Sequence, residues 1–450
     1  MILTLCYSAI ALIYLFTAIK RLFSDRINKN YKYASFIRTV FVIFLFAATL
    51  LAFSTFSSWF SWTHVEILSF SLVLQCLGAF VIIYSMIVHN KRGHIGVSIA
   101  PAKNLPSVSV CIPARNESQD LTECLNLLIS SKYPKLEILV YDDSPQPKAT
   151  AQNKKMYANS GVKFVNGEVP ASKWLAKNFA YERLYDESNG EIIIFCGVDT
   201  RFSPKTIEEI VSLMQSGASM ISILPQNELV GSHGWLKYLA QPTRYAWEIG
   251  LPRWIVNRPA VLSTCWAINR NVIESFGSFE AVSRKVVPES YFARQCVAHN
   301  LSYRFVYSDG EIDLKNIKSV EEQVSTGIRT RYPQLHRRIE NVMISTLLIL
   351  FVFVGPYLTL ILSFLHGYYW LSLAAILCIL IGQFAYGKIV ELTYRRRMPL
   401  AYLLGPVAAV YDVWLVNYSM WQYEFGTVTW KGRDISTPVI NRNTGKHHLL

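Results

Sequence analysis

The chain has 450 residues, 52% of them hydrophobic, and a mean hydropathy of +0.25. That length allows two or three ordinary domains, but the apolar content excludes a purely soluble protein. Lys and Arg outnumber Asp and Glu by 44 to 31, and the resulting net charge of +13 suits nucleic acid, anionic lipid or a phosphorylated substrate.

Near-continuous apolar runs at 3–19, 40–60 and 65–88 open the chain, and three more at about 342–366, 369–386 and 400–420 close it. Each approaches the roughly 20 residues that carry a helix across a bilayer. One run alone could be a buried core helix or, for the first, a signal peptide; six in two clusters predict a multi-pass membrane protein. The first run has no basic segment before it and no small-residue cleavage site after it, so it reads as a retained span.

Lys20, Arg21, Arg26, Lys29, Lys32 and Arg38 follow that run and mark a cytoplasmic loop by the positive-inside rule. Counting onward, Lys91 and Arg92 bring the chain back to the cytoplasm and deliver its long polar middle there. Arg329, Arg331, Arg337 and Arg338 before the fourth run, and Arg395, Arg396 and Arg397 after the fifth, agree. A full crossing by the last run would put the basic residues Lys431, Arg433, Arg442 and Lys446 outside. That run also holds Pro406, Asp412 and Asn417, so it is either a span or a re-entrant or interfacial segment.

The expected organisation is a membrane region at 1–95, a polar domain at 105–333, a second membrane region at 340–422 and a basic tail at 423–450. Basic residues beside spans are explained by topology and by headgroup attraction of about 1 kcal/mol each. No basic patch interleaved with aromatics resembles a nucleic-acid module, so no nucleic-acid partner is expected. The eight cysteines form no C-x-x-C pair and read as small buried hydrophobes in a reducing compartment.

Within the middle, apolar alternation predicts strands at 108–112, 137–141, 162–165, 191–195 and 220–224. Helices are expected between them at about 120–131, 149–160, 173–187 and 204–215. This alternation is the pattern of an α/β domain with a mostly parallel sheet. Ser203 before Pro204 predicts a capped helix start, which leaves Asp199 in a short loop at a strand's carboxyl end, where open α/β sheets bind ligands. The stretch 234–259 is rich in Trp, Tyr, Arg and Leu and suits either the membrane surface or packing against the sheet.

Neither a G-x-G-x-x-G fingerprint nor a Walker loop is present, which argues against a dinucleotide enzyme and a P-loop NTPase. Carboxylates at strand ends remain: Glu117 after the first strand, Asp142 and Asp143 after the second, Asp199 after the fourth. Such carboxylates can grip a nucleotide or hold a metal on its diphosphate, although Gly197 stands where a paired-carboxylate site would want a second aspartate.

The segments "SVCIPARNESQDLTECLNLLISSKYPKLEILVYDDS", "KWLAKNFA" and "VDTRFSPKTIEEIV" resemble the membrane-bound family 2 glycosyltransferases of the GT-A fold, notably ceramide glucosyltransferases and bacterial hopanoid and carotenoid glycosyltransferases. The resemblance spans about residues 105–333, and "GTVTWKGR" at 426–433 is similar to a tail of some lipid-directed members. It implies a Rossmann-like GT-A domain flanked by transmembrane helices. In the family the strand-end motifs line the nucleotide pocket, which assigns Pro113, Ala114, Arg115, Glu117, Asp142 and Asp143 to that role here.

By the same resemblance Lys177 would meet the donor diphosphate, and Asp199 would hold Mn²⁺ or Mg²⁺ as the one carboxylate left of the family's Asp-x-Asp. The general base comes from "VVPESYFARQ": aligning Tyr291 and Phe292 puts Ser290 at the usual acid, whereas aligning Ala293 and Arg294 puts Glu289 there. Serine is a poor base, so Glu289 is the expected one. Arg329 and Arg331, in "GIRTRY", correspond to the family's arginine motif over the nucleotide.

The implied activity is inverting transfer of a sugar from a nucleotide-diphosphate donor, a UDP-sugar first, to a lipid hydroxyl at the cytoplasmic membrane face. Two alternatives stay open. One is a catalytically impaired binding or assembly module, motivated by Gly197, Ser290 and Ile328; the other is a processive polysaccharide synthase, which the scarcity of ionisable residues in the apolar runs disfavours.

Overall fold

The computed structural model describes residues 2–24, 29–59, 63–93, 105–144, 154–157, 159–171, 173–228, 234–252, 258–308 and 312–436. Arg26, half of the helix expected at 149–160, and Arg442 and Lys446 of the tail lie outside the described residues.

The middle of the chain builds a mixed α/β domain. In chain order its strands are β1 (Val108–Ala114), β2 (Leu136–Asp142), β3 (Val162–Asn166), β4 (Ile192–Cys196), β5 (Thr200–Phe202), β6 (Met220–Leu224), β7 (Gln226–Glu228), β8 (Cys265–Asn269), β9 (Tyr303–Tyr307) and β10 (Leu314–Ile317). Seven form the main sheet in the order β3-β2-β1-β4-β8-β6-β9, mostly parallel, with β8 antiparallel to both its neighbours. All five strands expected from alternation are there. The inserted β8 was not expected, because Cys-Trp-Ala-Ile-Asn is short, buried and without alternation.

Successive residues of each central strand enter different cores, as the two-residue strand period requires. Val108, Val110 and Ile112 pack with Leu121, Leu125 and Leu128 of helix Ser118–Ile129 on one face. Cys111, Leu139 and Tyr141 join Tyr181, Phe195 and Trp266 on the other. The small sheet β5-β10-β7 lies past the carboxyl end of β4 and brings the segment after β10 back toward Asp199, whose carbonyl accepts from Ile317 N at 2.9 Å. One difference from expectation concerns helix Thr206–Gln215: Ser203 closes a turn with the Thr206 hydroxyl at 3.0 Å, and the helix starts beyond it.

Among the described residues four helices are long and apolar enough to cross a membrane: Tyr31–Thr55, His64–Val88, Ile339–Leu365 and Tyr369–Tyr394. The third contains a π-helical turn at Leu350–Val354, just before Pro356, which has no amide to continue the ordinary ladder. Gly355 there lets Gln75 approach so closely that a Cβ would overlap its side chain.

The described part of the segment 234–259, residues 234–252 and 258–259, resolves toward packing. Helix Ala240–Ile249 places Tyr245 and Ile249 in one cluster with Leu224, Phe305 and Tyr307 of the sheet and with Met86 and Ile389 of two spans. The Tyr386 and Tyr394 hydroxyls donate to the carbonyls of Tyr238 and Lys237, each at 2.5 Å, and fix the same junction.

Helix Gly405–Phe425 carries the sixth apolar run, and its two carboxylates and its asparagine are engaged. Asp412 meets Arg331 at 2.8 Å and the Trp247 indole at 2.6 Å, Asn417 accepts from Tyr14 at 2.6 Å, and Glu424 accepts from Tyr332 at 2.5 Å and pairs with Arg21 at 3.0 Å. Its carboxyl end leads into a hairpin of β11 (Thr429–Trp430) and β12 (Arg433–Asp434) that returns to the α/β domain. The described part of the tail, with Lys431 and Arg433, therefore lies against that domain.

Candidate functional site

The site lies at the carboxyl ends of β1, β2 and β4. Ala114 ends β1, and Asn116 adopts a left-handed φ of 56° that turns the chain into helix Ser118–Ile129. The Asn116 amide donates to Ser144 Oγ at 2.8 Å and the Asp143 amide to the Ala114 carbonyl at 3.1 Å, so the two strand ends are tied together. Asp142 accepts from the Ser144 amide at 2.9 Å, a turn that aims its neighbour Asp143 outward.

Asp143 is held by two arginines, Arg115 at 3.0 Å and Arg433 of the tail hairpin at 2.6 Å. Arg115 also donates to the Lys431 carbonyl at 3.0 Å, and Lys431 pairs with Glu117. The tail hairpin is thus part of this side of the site.

Asp199 follows Gly197 in the loop between β4 and β5, and its Oδ2 pairs with Lys318 at 3.0 Å. Its Oδ1 folds back over Gly197, so that a Cβ at 197 would overlap it. Burial pushes the Asp199 carboxyl up, but Lys318 and then Lys431 outweigh burial and leave it below the ordinary range. Lys318 directly precedes a capping box in which Ser319 and Glu322 exchange hydrogen bonds at 3.2 and 3.1 Å, which pins its position.

The other half of the site is unpaired. Glu289 sits in the first turn of helix Pro288–Ala298, fully buried, and neither carboxylate oxygen has a hydrogen-bond partner among the described residues. Burial raises its pKa above the ordinary carboxylate range, opposed by the charges of Lys177 and Arg244. Lys177, in the first turn of helix Ala176–Glu187, lies 5.1 Å from the Tyr181 ring centroid. Burial brings its pKa down to about 8; Glu289 opposes that shift, while Arg329, Arg244 and Lys318 add to it.

Arg329 donates to Thr326 Oγ1 at 2.8 Å and is brought down to about 10 by burial and by Arg244. Lys177, Asp199, Glu289 and Arg329 therefore share one electrostatic neighbourhood. Arg331 does not join it. Its guanidinium is fully buried, donates to the Thr243 carbonyl at 2.8 Å, stacks over Trp247 at 4.5 Å and pairs with Asp412. Pro113 and Ala114 contribute backbone to the β1–β2 register and put no charge into the site.

Sequence reasoning missed Arg244, Lys318, and the roles of Lys431 and Arg433. Only Lys318 carried a local signal, the Ser-x-x-Glu box that follows it.

A divalent ion does not fit the donor set. One carboxylate remains where two would serve, an ammonium already pairs with it, and the surrounding side chains are cationic. Among the described residues no group of three or more His, Cys, Asp or Glu side chains is arranged to hold a metal. A cavity of about 370 Å³ lined by Leu105, Lys135, Glu191 and Asn269 lies at the amino ends of the strands, away from this chemistry.

Residues 109–277 match the family model described as glycosyl transferase family 2. By sequence, no curated protein matches the chain. Among solved structures it is similar to the mannosyltransferase PcManGT from Pyrobaculum calidifontis in complex with GDP-Man and Mn²⁺, with 15% identity, 79% of this chain and 98% of that one covered, and a TM-score of 0.46. It is also similar to TarS from S. aureus, with 14% identity, 71% and 92% covered, and a TM-score of 0.34.

Proposed function

We propose that this chain transfers a sugar from a nucleoside-diphosphate donor to a lipid hydroxyl, with inversion at the anomeric carbon. The observation that carries the proposal is Glu289: a buried carboxylate with no partner, beside Lys177, in a domain whose match to glycosyl transferase family 2 supports glycosyl transfer. Leaving a charge buried and unsatisfied is costly, so its retention argues for a chemical task.

In this reading Glu289 takes the proton from the acceptor hydroxyl as the acceptor oxygen bonds to the anomeric carbon. The bond from that carbon to the phosphate oxygen breaks, and the electron pair leaves with the nucleoside diphosphate. A base with a raised pKa is better matched to neutral pH than an ordinary carboxylate. Positive charge facing the departing diphosphate would stabilise it most as the bond breaks. Arg115, Glu117 and Asp143 would contact the nucleoside.

A lipid acceptor is supported by the surroundings of the base. Leu175 and Val286, near Lys177 and Glu289 in the chain, pack in one apolar cluster with Ile339, Val342 and Met343 of a membrane helix. An acceptor held in the bilayer would meet the base with little loss of freedom. The two ends of the chain fit a multi-pass protein whose domain faces the cytoplasm, on the strength of its basic loops.

A second reading is a binding module without turnover. It is favoured by the occupation of Glu117, Asp143 and Asp199 by Lys431, Arg433 and Lys318. Incubating purified protein with radiolabelled UDP- and GDP-sugars and a panel of membrane lipids separates the two. Labelled lipid is expected; nucleoside diphosphate bound without any labelled lipid supports the module, and neither label nor binding overturns both.

A further inference from the structure

Resting on the transferase reading above, we propose that the donor diphosphate is met by a cradle of side-chain cations, Lys177, Arg244, Lys318 and Arg329, which takes the place of a divalent ion. Four observations converge on it.

First, Lys318 occupies the position against Asp199 that a metal would need, at 3.0 Å from Oδ2. An ion entering there would have to displace an ammonium and then sit among further cations, a large electrostatic penalty at low dielectric. Second, Gly197 cannot be supplemented by a side chain while Asp199 keeps this rotamer, because the carboxylate fills the space of a Cβ. The single carboxylate is thus shaped as a partner for Lys318.

Third, the other three cations are short of anionic partners among the described residues. Arg244 is only 5% exposed, yet among the described residues it makes no hydrogen bond or ion pair. Its neighbour one turn along, Glu248, is committed to Arg258 at 2.6 Å. Lys177 likewise forms no hydrogen bond or ion pair among the described residues, and Arg329 has the Thr326 hydroxyl. Buried arginines are ordinarily paired, so an unpaired one points to a ligand that brings the opposite charge.

Fourth, the cations converge from separate elements. Arg244 is on helix Ala240–Ile249 and Arg329 on the adjoining helix Val320–Gln334, which are joined by the hydrogen bond from Arg331 to the Thr243 carbonyl at 2.8 Å. Lys177 begins a third helix and Lys318 follows β10. Three helices and a strand end that bring like charges together repel one another until an anion enters. A diphosphate supplies that anion, and arginine forks match phosphate oxygens in geometry as well as charge.

The test is calorimetric titration of the detergent-solubilised full chain with UDP and with GDP, in EDTA and again in Mn²⁺. The expected result is binding of at least one nucleotide in EDTA, with Kd within about threefold of that in Mn²⁺. Arg244→Ala should weaken it by more than about tenfold, the loss of a charge-assisted contact. A thermal unfolding scan of that variant checks folding, and Lys318→Gln, at a less buried position, should weaken binding in the same direction. Binding that appears only with Mn²⁺, or that is indifferent to both substitutions, overturns the cradle and leaves the transferase reading standing. Failure to bind either nucleotide under both conditions overturns the two together.

Discussion

The two halves of the site treat charge in opposite ways. At the ends of β1 and β2, Glu117 and Asp143 are each satisfied by basic side chains from the same fold, at 12–24% exposure of the paired groups. Around helix Pro288–Ala298, Glu289 is fully buried with both oxygens unpaired, and Arg244 beside it has no partner among the described residues. Paired, partly wet charges hold a shape at little net gain. Unpaired buried ones cost stability and persist where a substrate completes them. On the proposed function, the comparison points to shape at the strand-end half and chemistry at the half nearer the membrane helices.

The sharpest way to break that contrast is at Glu289. Glu289→Gln keeps the volume and removes the charge, and it is expected to lower sugar transfer by about 10²–10⁴-fold. Its thermal unfolding temperature should stay level or rise, because an unsatisfied buried charge has been removed. A loss of activity accompanied by an equal loss of folded protein would place Glu289 among the structural residues instead.

Arg331 supplies the opposite case, a buried charge that is already paired. Arg331→Met should destabilise the protein by about 3–5 kcal/mol, since it strands the Asp412 carboxylate between helices. Denaturant unfolding in detergent measures this, and Arg331→Met with Asp412→Leu should recover most of the loss. Recovery would confirm that Arg331 joins the last helix to the domain.

Titration sharpens the contrast further. Lys177, brought down to about 8, keeps its charge below that pH and loses it above, so the transfer rate should fall as pH rises through about 8. The matching stability effect has the reverse sign. The unfolded lysine holds its proton to a higher pH than the folded one, so stability rises with pH between about 8 and the unfolded value. Glu289, raised by burial, should place the acid limb of the rate above the ordinary carboxylate range. Glu289→Gln and Lys177→Met should each flatten one limb of the pH–rate profile.

The smallest effect belongs to the tail hairpin. Arg433→Ala removes one of two arginines on Asp143, a partly exposed pair whose contribution to stability is about 0.2–1 kcal/mol. Unfolding should therefore shift little, while nucleotide affinity shifts measurably.

The parts legible in sequence are those set by local period. Alternation located β1 to β4 and β6, and unbroken apolar runs located the four helices that, among the described residues, are long and apolar enough to span a membrane. Strand-end position singled out Asp143 and Asp199, whereas Glu289 came only through the resemblance of its segment to the family's base motif. Contacts between distant segments were not legible. Lys431 reaches Glu117 across 314 residues and Arg433 reaches Asp143 across 290, and nothing local distinguishes those basic residues from a topology signal. Arg331 and Arg329 read alike in sequence because they are neighbours; two residues along a helix put them on different faces, one toward Asp412 and one toward the site.

The most direct test compares wild type and Glu289→Gln in two assays on the same preparation, nucleoside-diphosphate binding and transfer of radiolabelled sugar to lipid. The site described here predicts binding within a few-fold of wild type and transfer reduced by at least about 10²-fold. Transfer by Glu289→Gln at the wild-type rate would contradict it.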